Sequence, residues 1–268
     1  MVRKLIKYDF ASYMRLILPV QLILLGIAAL NRFVQIFEDT NSDVYTIIFT
    51  SSTVLYVLSI IVCLLLTVIV AIVRFYQGMY TNEGYLSHTL PVTPAQHIFS
   101  KLIVSLLFEM GSLLAVFLSL CIITFGEFNI ELFKAGFFLL GKAHEAYGIN
   151  ITFYILEFII YAIVAASASL LKLYLCISIG QLVSKKKVLL AFGVFFGIYF
   201  IKQILGTIFI IFITLNPSFM EDLGKTILEN TTVFYHIALC SSIVISAVIG
   251  GLYFLFSRLI MSKKLNLS

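Results

Sequence analysis

The chain has 268 residues, of which 61% are hydrophobic and only 12% charged, and its mean hydropathy is +1.09. Soluble domains carry about 25% charged residues, so this composition describes a polytopic membrane protein and leaves no room for a separate soluble enzymatic domain. The net charge of +5 is set by where the basic residues fall along the chain, and no basic patch for nucleic acid is implied.

Taken in chain order, residues 1–15 come first. Val2, Ile6, Phe10, Tyr13 and Ile17 recur on one helical face and Lys4, Lys7 and Arg15 on another. That pattern predicts an interfacial helix in the headgroup layer, the alternative being a basic topology signal with no further role. No small-residue cleavage site follows the first apolar run, so a removable signal peptide is not expected. Apolar runs then cover about 16–37, 51–73, 99–125, 152–183, 188–214 and 236–260, each long enough to cross about 30 Å of hydrocarbon as a helix. The expected fold is therefore an all-α integral membrane protein with six transmembrane helices in a single domain. Pro19 is placed in the first turn of the first span, where its missing N–H costs little.

Orientation follows from the Lys/Arg asymmetry. With the N-terminus inside, twelve basic residues fall in cytoplasmic segments (among them Lys4, Lys7, Arg74, Lys101 and Lys185 to Lys187), against four outside: Arg32, Lys134, Lys142 and Lys225. Nine acidic residues lie in outer loops and only Asp9 and Glu83 inside. Both termini are expected to be cytoplasmic. The outer segment 38–50 reads as a short acidic connector. In 126–151 the repeat of Ile130, Phe133, Phe137 and Leu140 reads as an amphipathic helix on the outer leaflet, and 215–235 as a polar hairpin.

The chemistry-bearing patterns are sparse. Cys63, Cys121, Cys176 and Cys240 sit in apolar runs without metal-ligand spacing and read as packing residues. No nucleotide-binding loop, HExxH or GxSxG is present, so no catalytic residue, metal or cofactor is expected in this chain. His88, His97, His144 and His236 are scattered and read as interfacial polar residues. Four ionisable residues lie within spans: Glu109, Glu157, Lys172 and Lys202. Charges there are expensive and tend to be paired or to line a wet cavity. Glu109 and Lys172 lie at matching depths, roughly 15–16 Å from the inner ends of the third and fourth spans, and are expected to pair. Glu157 lies nearer the outside. Gly193 and Gly197 form a GxxxG face in the fifth span, and Ala162, Ala165, Ala166 and Ser169 a small-residue patch in the fourth. Both suit close packing within one subunit, ahead of a dimer contact.

The sizeable polar segment on the expected cytoplasmic side is Arg74–Lys101, with its loop at 78–98. Gly78 permits a break after the second span, and Thr81 or Asn82 can cap a short helix from Glu83. Leu90-Pro91 and Thr93-Pro94 impose extended geometry before each proline, with Thr93 and Pro94 also reading as cap and first residue of the helix entering the third span. The result is a short helix presenting Tyr85 and Leu86 as apolar knobs and Glu83 and His88 as polar contacts, suited to a groove on a cytoplasmic partner.

These residues resemble the permease subunits of ABC transporters of the type-2 exporter class found in Gram-positive bacteria. The likeness rests on Glu83, Gly84, Tyr85 and Leu86, then Leu90, Pro91, Val92 and Thr93, then Lys101 and Leu102. The six spans and the N-terminal helix extend it over the whole chain. The resemblance implies a bacterial cytoplasmic-membrane protein whose coupling helix (Glu83, Gly84, Tyr85, Leu86 and His88) docks on a separate ATPase. Two ATPase copies, with ATP and magnesium on them, and a second permease subunit, identical or paralogous, would complete the transporter. Cargo of that class includes amphipathic or hydrophobic peptides and lipophilic drugs. The alternatives are a membrane substrate-binding subunit of a vitamin importer, or a non-transporting immunity or sensor protein.

Overall fold

The computed structural model describes residues 2–37, 43–81, 92–124, 151–183, 185–216 and 231–263, together with 131, 134–136, 138–139, 141–142, 218, 221, 224 and 225. Six long helices carry the fold: α1 (Val2–Ile36), α2 (Asp43–Tyr80), α3 (Pro94–Ile123), α4 (Ile151–Gly180), α5 (Lys187–Thr214) and α6 (Thr231–Lys263). All six are long and apolar enough to cross a membrane, and no strand occurs among the described residues. The expected amphipathic repeat of Ile130, Phe133, Phe137 and Leu140 lies outside the described residues, as does about half of the hairpin 215–235.

The chain divides into two compact units, Met1–Phe137 and Phe138–Ser268. In the first, α3 packs along α1 and also contacts α2. The side-chain pairs fix the directions. Tyr13 meets Ser105 and Gln21 meets Ser112 at separations of 92 and 91 residues, a constant offset that makes α1 and α3 parallel. Tyr56 meets Ser119 while Thr67 meets Ser112, so α2 runs antiparallel to α3.

Three boundaries differ from the sequence reading. First, residues 2–36 form one uninterrupted helix with Pro19 inside it, so the N-terminal segment is not a separate element from the first span. The stripe begun by Tyr13 and Ile17 continues through Leu24 and Ala28, all buried. Phe10 and Tyr13 also place their rings 5.0 and 5.5 Å from that of Phe108 on α3. Of the apolar face expected in the headgroup layer, Phe10 and Tyr13 therefore pack against α3. Second, α2 begins at Asp43, so part of the expected connector 38–50 is helical. Third, α2 passes through Gly78 and ends at Tyr80.

The burial pattern inverts that of a water-soluble bundle. Leu, Ile and Phe dominate the exposed surface, while Ser100, Ser105, Ser112, Ser119, Thr67 and Asn31 are buried. In water such an apolar surface would aggregate; in lipid, small polar residues between helices permit close approach and interhelical hydrogen bonds. Ser105, Ser112 and Ser119 of α3 recur every seven residues, which keeps them on one face over two turns. Gln21 Nε2 donates to Ser112 Oγ at 3.0 Å; Ser112 and Thr67 lie 2.7 Å apart; Thr67 donates to the Cys63 carbonyl at 2.8 Å. A single chain of donors thus links α1, α3 and α2. Tyr56 donates to Ser119, which in turn donates to the Val116 carbonyl. Leu24, Ala28, Tyr56, Cys63 and Ala115 form the apolar core beside this seam.

In the second unit both α5 and α6 pack on α4. Lys172 with Phe195, and Gly180 with Lys187, define an antiparallel α4–α5 pair. Glu157 with His236, and Ala168 with Gly250, define a parallel α4–α6 pair. Helix α5 has no buried residue. Gly193 and Gly197 have no atom of this unit within 4 Å of where a Cβ would stand, among the described residues. The GxxxG face is therefore not used for packing inside this unit, and the close approach of α4 to α6 is made by Ala168 against Gly250, not by the expected patch of Ala162, Ala165, Ala166 and Ser169.

Candidate functional site

The sequence singles out the loop between α2 and α3. Glu83, Gly84, Tyr85, Leu86 and His88 lie outside the described residues. The helix ends that deliver the loop are described. On the α3 side, Thr93 caps the helix as its sequence predicts. The Thr93 hydroxyl accepts from the Gln96 amide, Gln96 Oε1 accepts from the Thr93 amide at 3.0 Å, and Pro94 occupies the first turn. This reciprocal capping satisfies two otherwise orphaned N–H groups and fixes the direction in which the loop enters α3.

About two turns further along α3, Lys101 turns inward. Its Nζ donates to Asp9 Oδ1 of α1 at 3.0 Å, and its side chain is only 7% exposed against 20% for Asp9. Ser100 Oγ also donates to Asp9, at 3.4 Å to Oδ2. Opposite, α2 offers Gly78, where an added Cβ would stand 2.8 Å from Lys101 Cε. Gly78 therefore admits the lysine stem and is not a helix break. One carboxylate, one ammonium and one glycine, each from a different helix, close the loop-bearing end of this unit. Arg74 and His97 lie at the same end; the Arg74 Nε is buried without a hydrogen-bond partner among the described residues. Sequence reading found Lys101 as part of a motif but not its partner. The available signal was Asp9, a lone acidic residue in a basic N-terminal segment.

The four ionisable residues expected in spans lie on helices as anticipated, and their surroundings differ. Glu157 is matched with His236, whose Nδ1 lies 2.8 Å from both carboxylate oxygens. With a carboxylate as acceptor, the imidazole N–H donates a bifurcated bond. The ring of Tyr154 stacks on the imidazole, with centroids 4.2 Å apart and planes 19° apart. His236 is thus part of an interhelical cluster and not a solitary polar residue at a span end. Lys172 Nζ stands 4.7 Å from the Phe195 ring centroid and Lys202 Nζ 5.8 Å from that of Tyr253. Glu109 Oε2 is buried without a hydrogen-bond partner among the described residues. Glu109 belongs to the first unit and Lys172 to the second, and each is described by its own unit's contacts.

No group of three or more His, Cys, Asp or Glu side chains among the described residues is placed to hold a metal ion. Cys63 and Cys176 are buried, Cys121 is half-buried and Cys240 exposed, none of them in a disulfide. Comparison with protein-family models, with curated proteins and with solved structures found no match to this chain.

Proposed function

We propose that this chain is the membrane-spanning subunit of an ATP-driven exporter whose ATPase is a separate polypeptide. The observation that carries the reading is the segment Glu83-Gly84-Tyr85-Leu86 followed by Leu90-Pro91-Val92-Thr93, held between two long helices whose ends are braced together. A loop strung between rigid, mutually locked helices transmits a push on its tip as a displacement of both helices. A loop between frayed ends would absorb the push locally.

In this reading the loop docks on the ATPase from the cytoplasm, and closure of two ATPase copies shifts α2 and α3 as a body. A second permease subunit completes the path. The chain supplies no catalytic group; ATP and magnesium belong to the partner. Cargo is an amphipathic or hydrophobic peptide or drug.

The test is co-expression of the chain with P-loop ATPases, followed by purification and transport into inverted vesicles. A stable complex is expected, with Tyr85→Ala and Gly84→Pro hydrolysing ATP without export while the permease still inserts. Normal export by both variants, or no ATPase retained by the wild type, overturns the proposal.

A further inference from the structure

The turn between α4 and α5 carries Lys185, Lys186 and Lys187 on consecutive residues. Lys185 and Lys186 are exposed and Lys187 is half-buried, and none of the three forms an ion pair among the described residues. No Asp or Glu occurs in the chain between Glu157 and Glu221, and α6 contains none. Glu157 stands toward the other end of α4, about 35 Å along the axis from Gly180 at 1.5 Å per residue. The three ammonium groups therefore repel one another, and no carboxylate of α4, α5 or α6 is within reach to offset them.

The turn is also held in one shape. A Cβ on Gly180 would stand 2.7 Å from the Lys187 carbonyl oxygen and 2.9 Å from Ala191 Cβ, so α4 and α5 touch closely where they meet. Lys186 has φ 59° and ψ 36°, the one positive φ at a non-glycine residue among those described. That region strains any residue with a Cβ, and glycine occupies it freely. The backbone alone thus favours another residue where this lysine stands. Beside the lysines, Leu182, Val183, Val188 and Leu189 are between 41% and 69% exposed. Depth also fits a headgroup contact. Helix α5 has 28 residues from Lys187 to Thr214, about 42 Å at 1.5 Å per residue. A bilayer measures about 40–45 Å with its headgroups and about 30 Å without them. A helix of that length standing across the bilayer places Lys187 in the headgroup layer and points Val188 and Leu189 toward the acyl boundary.

We propose that the α4–α5 turn is a binding site for the phosphate headgroup of an acidic phospholipid. Lys185, Lys186 and Lys187 are its cationic contacts, and the flanking aliphatic side chains lie against the first carbons of the acyl chains. Those exposed aliphatics decide for lipid over an acidic protein surface, because cations beside bare apolar side chains match the boundary between headgroup and acyl chain. The site rests on the membrane assignment and not on the exporter reading, since it needs neither an ATPase nor transport.

The experiment uses the full chain purified in maltoside and offered equimolar phosphatidylglycerol and phosphatidylcholine, with native mass spectrometry counting the lipids bound. The wild type is expected to retain phosphatidylglycerol over phosphatidylcholine by about tenfold, each cation near an anionic headgroup adding to the attraction. Lys185→Gln/Lys186→Gln/Lys187→Gln is expected to reduce that ratio to about twofold or less, and Lys185→Arg/Lys186→Arg/Lys187→Arg to keep it. Lys134→Gln/Lys142→Gln/Lys225→Gln, which removes equal charge elsewhere in the chain, is expected to leave it unchanged. Excess polyglutamate, standing in for an acidic protein surface, is expected not to displace phosphatidylglycerol. Displacement assigns the turn to a protein partner and overturns the proposal. A wild type without headgroup preference overturns it without recourse to any variant. So does a preference that survives the triple glutamine substitution or disappears with Lys134, Lys142 and Lys225.

Discussion

At the scale of single residues, the most consequential contact is the one between Asp9 and Lys101. A lysine side chain 7% exposed is held by one carboxylate, and removing that carboxylate leaves a buried charge without compensation. Asp9→Asn is expected to lower stability by about 2 kcal/mol, the partial exposure of Asp9 reducing the figure from that of a fully buried pair. Replacing both residues, as Asp9→Leu/Lys101→Met, should recover much of the loss. A double-mutant cycle on thermal unfolding measures the coupling, and additive single effects would show that the pair contributes nothing. Gly180 gives a second case. A Cβ there would stand 2.7 Å from the Lys187 carbonyl oxygen, which is backbone and cannot rotate aside. Gly180→Ala is expected to cost about 1–3 kcal/mol through overpacking of the α4–α5 turn, and an unchanged unfolding midpoint would refute that. Neither contact was legible in the sequence. Gly78 and Gly180 each stand at or near a helix end, where glycine also reads as a terminator, and only the approach of another helix or of the next turn shows its purpose.

At the scale of elements, the serine seam of α3 shows how the first unit holds together. Ser105, Ser112 and Ser119 each meet a hydroxyl or amide on α1 or α2. Interhelical hydrogen bonds in membranes average only about 0.6 kcal/mol, so the seam acts as much through close packing as through bonding. Ser112→Ala is expected to cost about 1 kcal/mol, since two bonds meet there. Ser112→Leu should cost more, because a large side chain would drive α1 and α2 off α3. Equal unfolding midpoints for the two variants would show that packing is not the larger part. In the second unit, Glu157 and His236 should be coupled rather than additive, by about 0.5–3 kcal/mol for residues in direct contact. The seven-residue spacing of the serines was visible in the sequence and points to a single helical face. Its partners were not, since Tyr13, Gln21, Tyr56 and Thr67 follow no comparable repeat.

At the scale of the whole molecule, the Lys/Arg asymmetry makes a claim about orientation. In a cysteine-free background, Lys186→Cys is expected to react with a membrane-impermeant maleimide only after the membrane is breached. Asn216→Cys is expected to react from outside in intact cells. The reverse pattern would invert the topology and remove the loop 78–98 from the cytoplasm, and with it the proposed ATPase contact. The pairing expected between Glu109 and Lys172 has its own test: Glu109→Lys with Lys172→Glu should restore what either single change loses. No rescue would count against the pair.

The sequence by itself determined the membrane class, the number of long apolar helices and the cap at Thr93, because each follows from length, composition or local chain geometry. A run of twenty apolar residues has one solution in lipid whatever surrounds it. The sequence also isolated Glu83, Gly84, Tyr85, Leu86 and His88 as the segment proposed to meet a partner. Tertiary structure decided that the N-terminal segment continues into the first span and packs on α3, that Gly78 seats a lysine, and that Asp9 and Glu157 have partners. It also decided that Lys172 and Lys202 face aromatic rings. Those pairings lie as many as 92 residues apart in the chain. In a surround where nearly every side chain is apolar, the hydrophobic pattern fixes that helices form but carries no information on which of their few polar residues will meet.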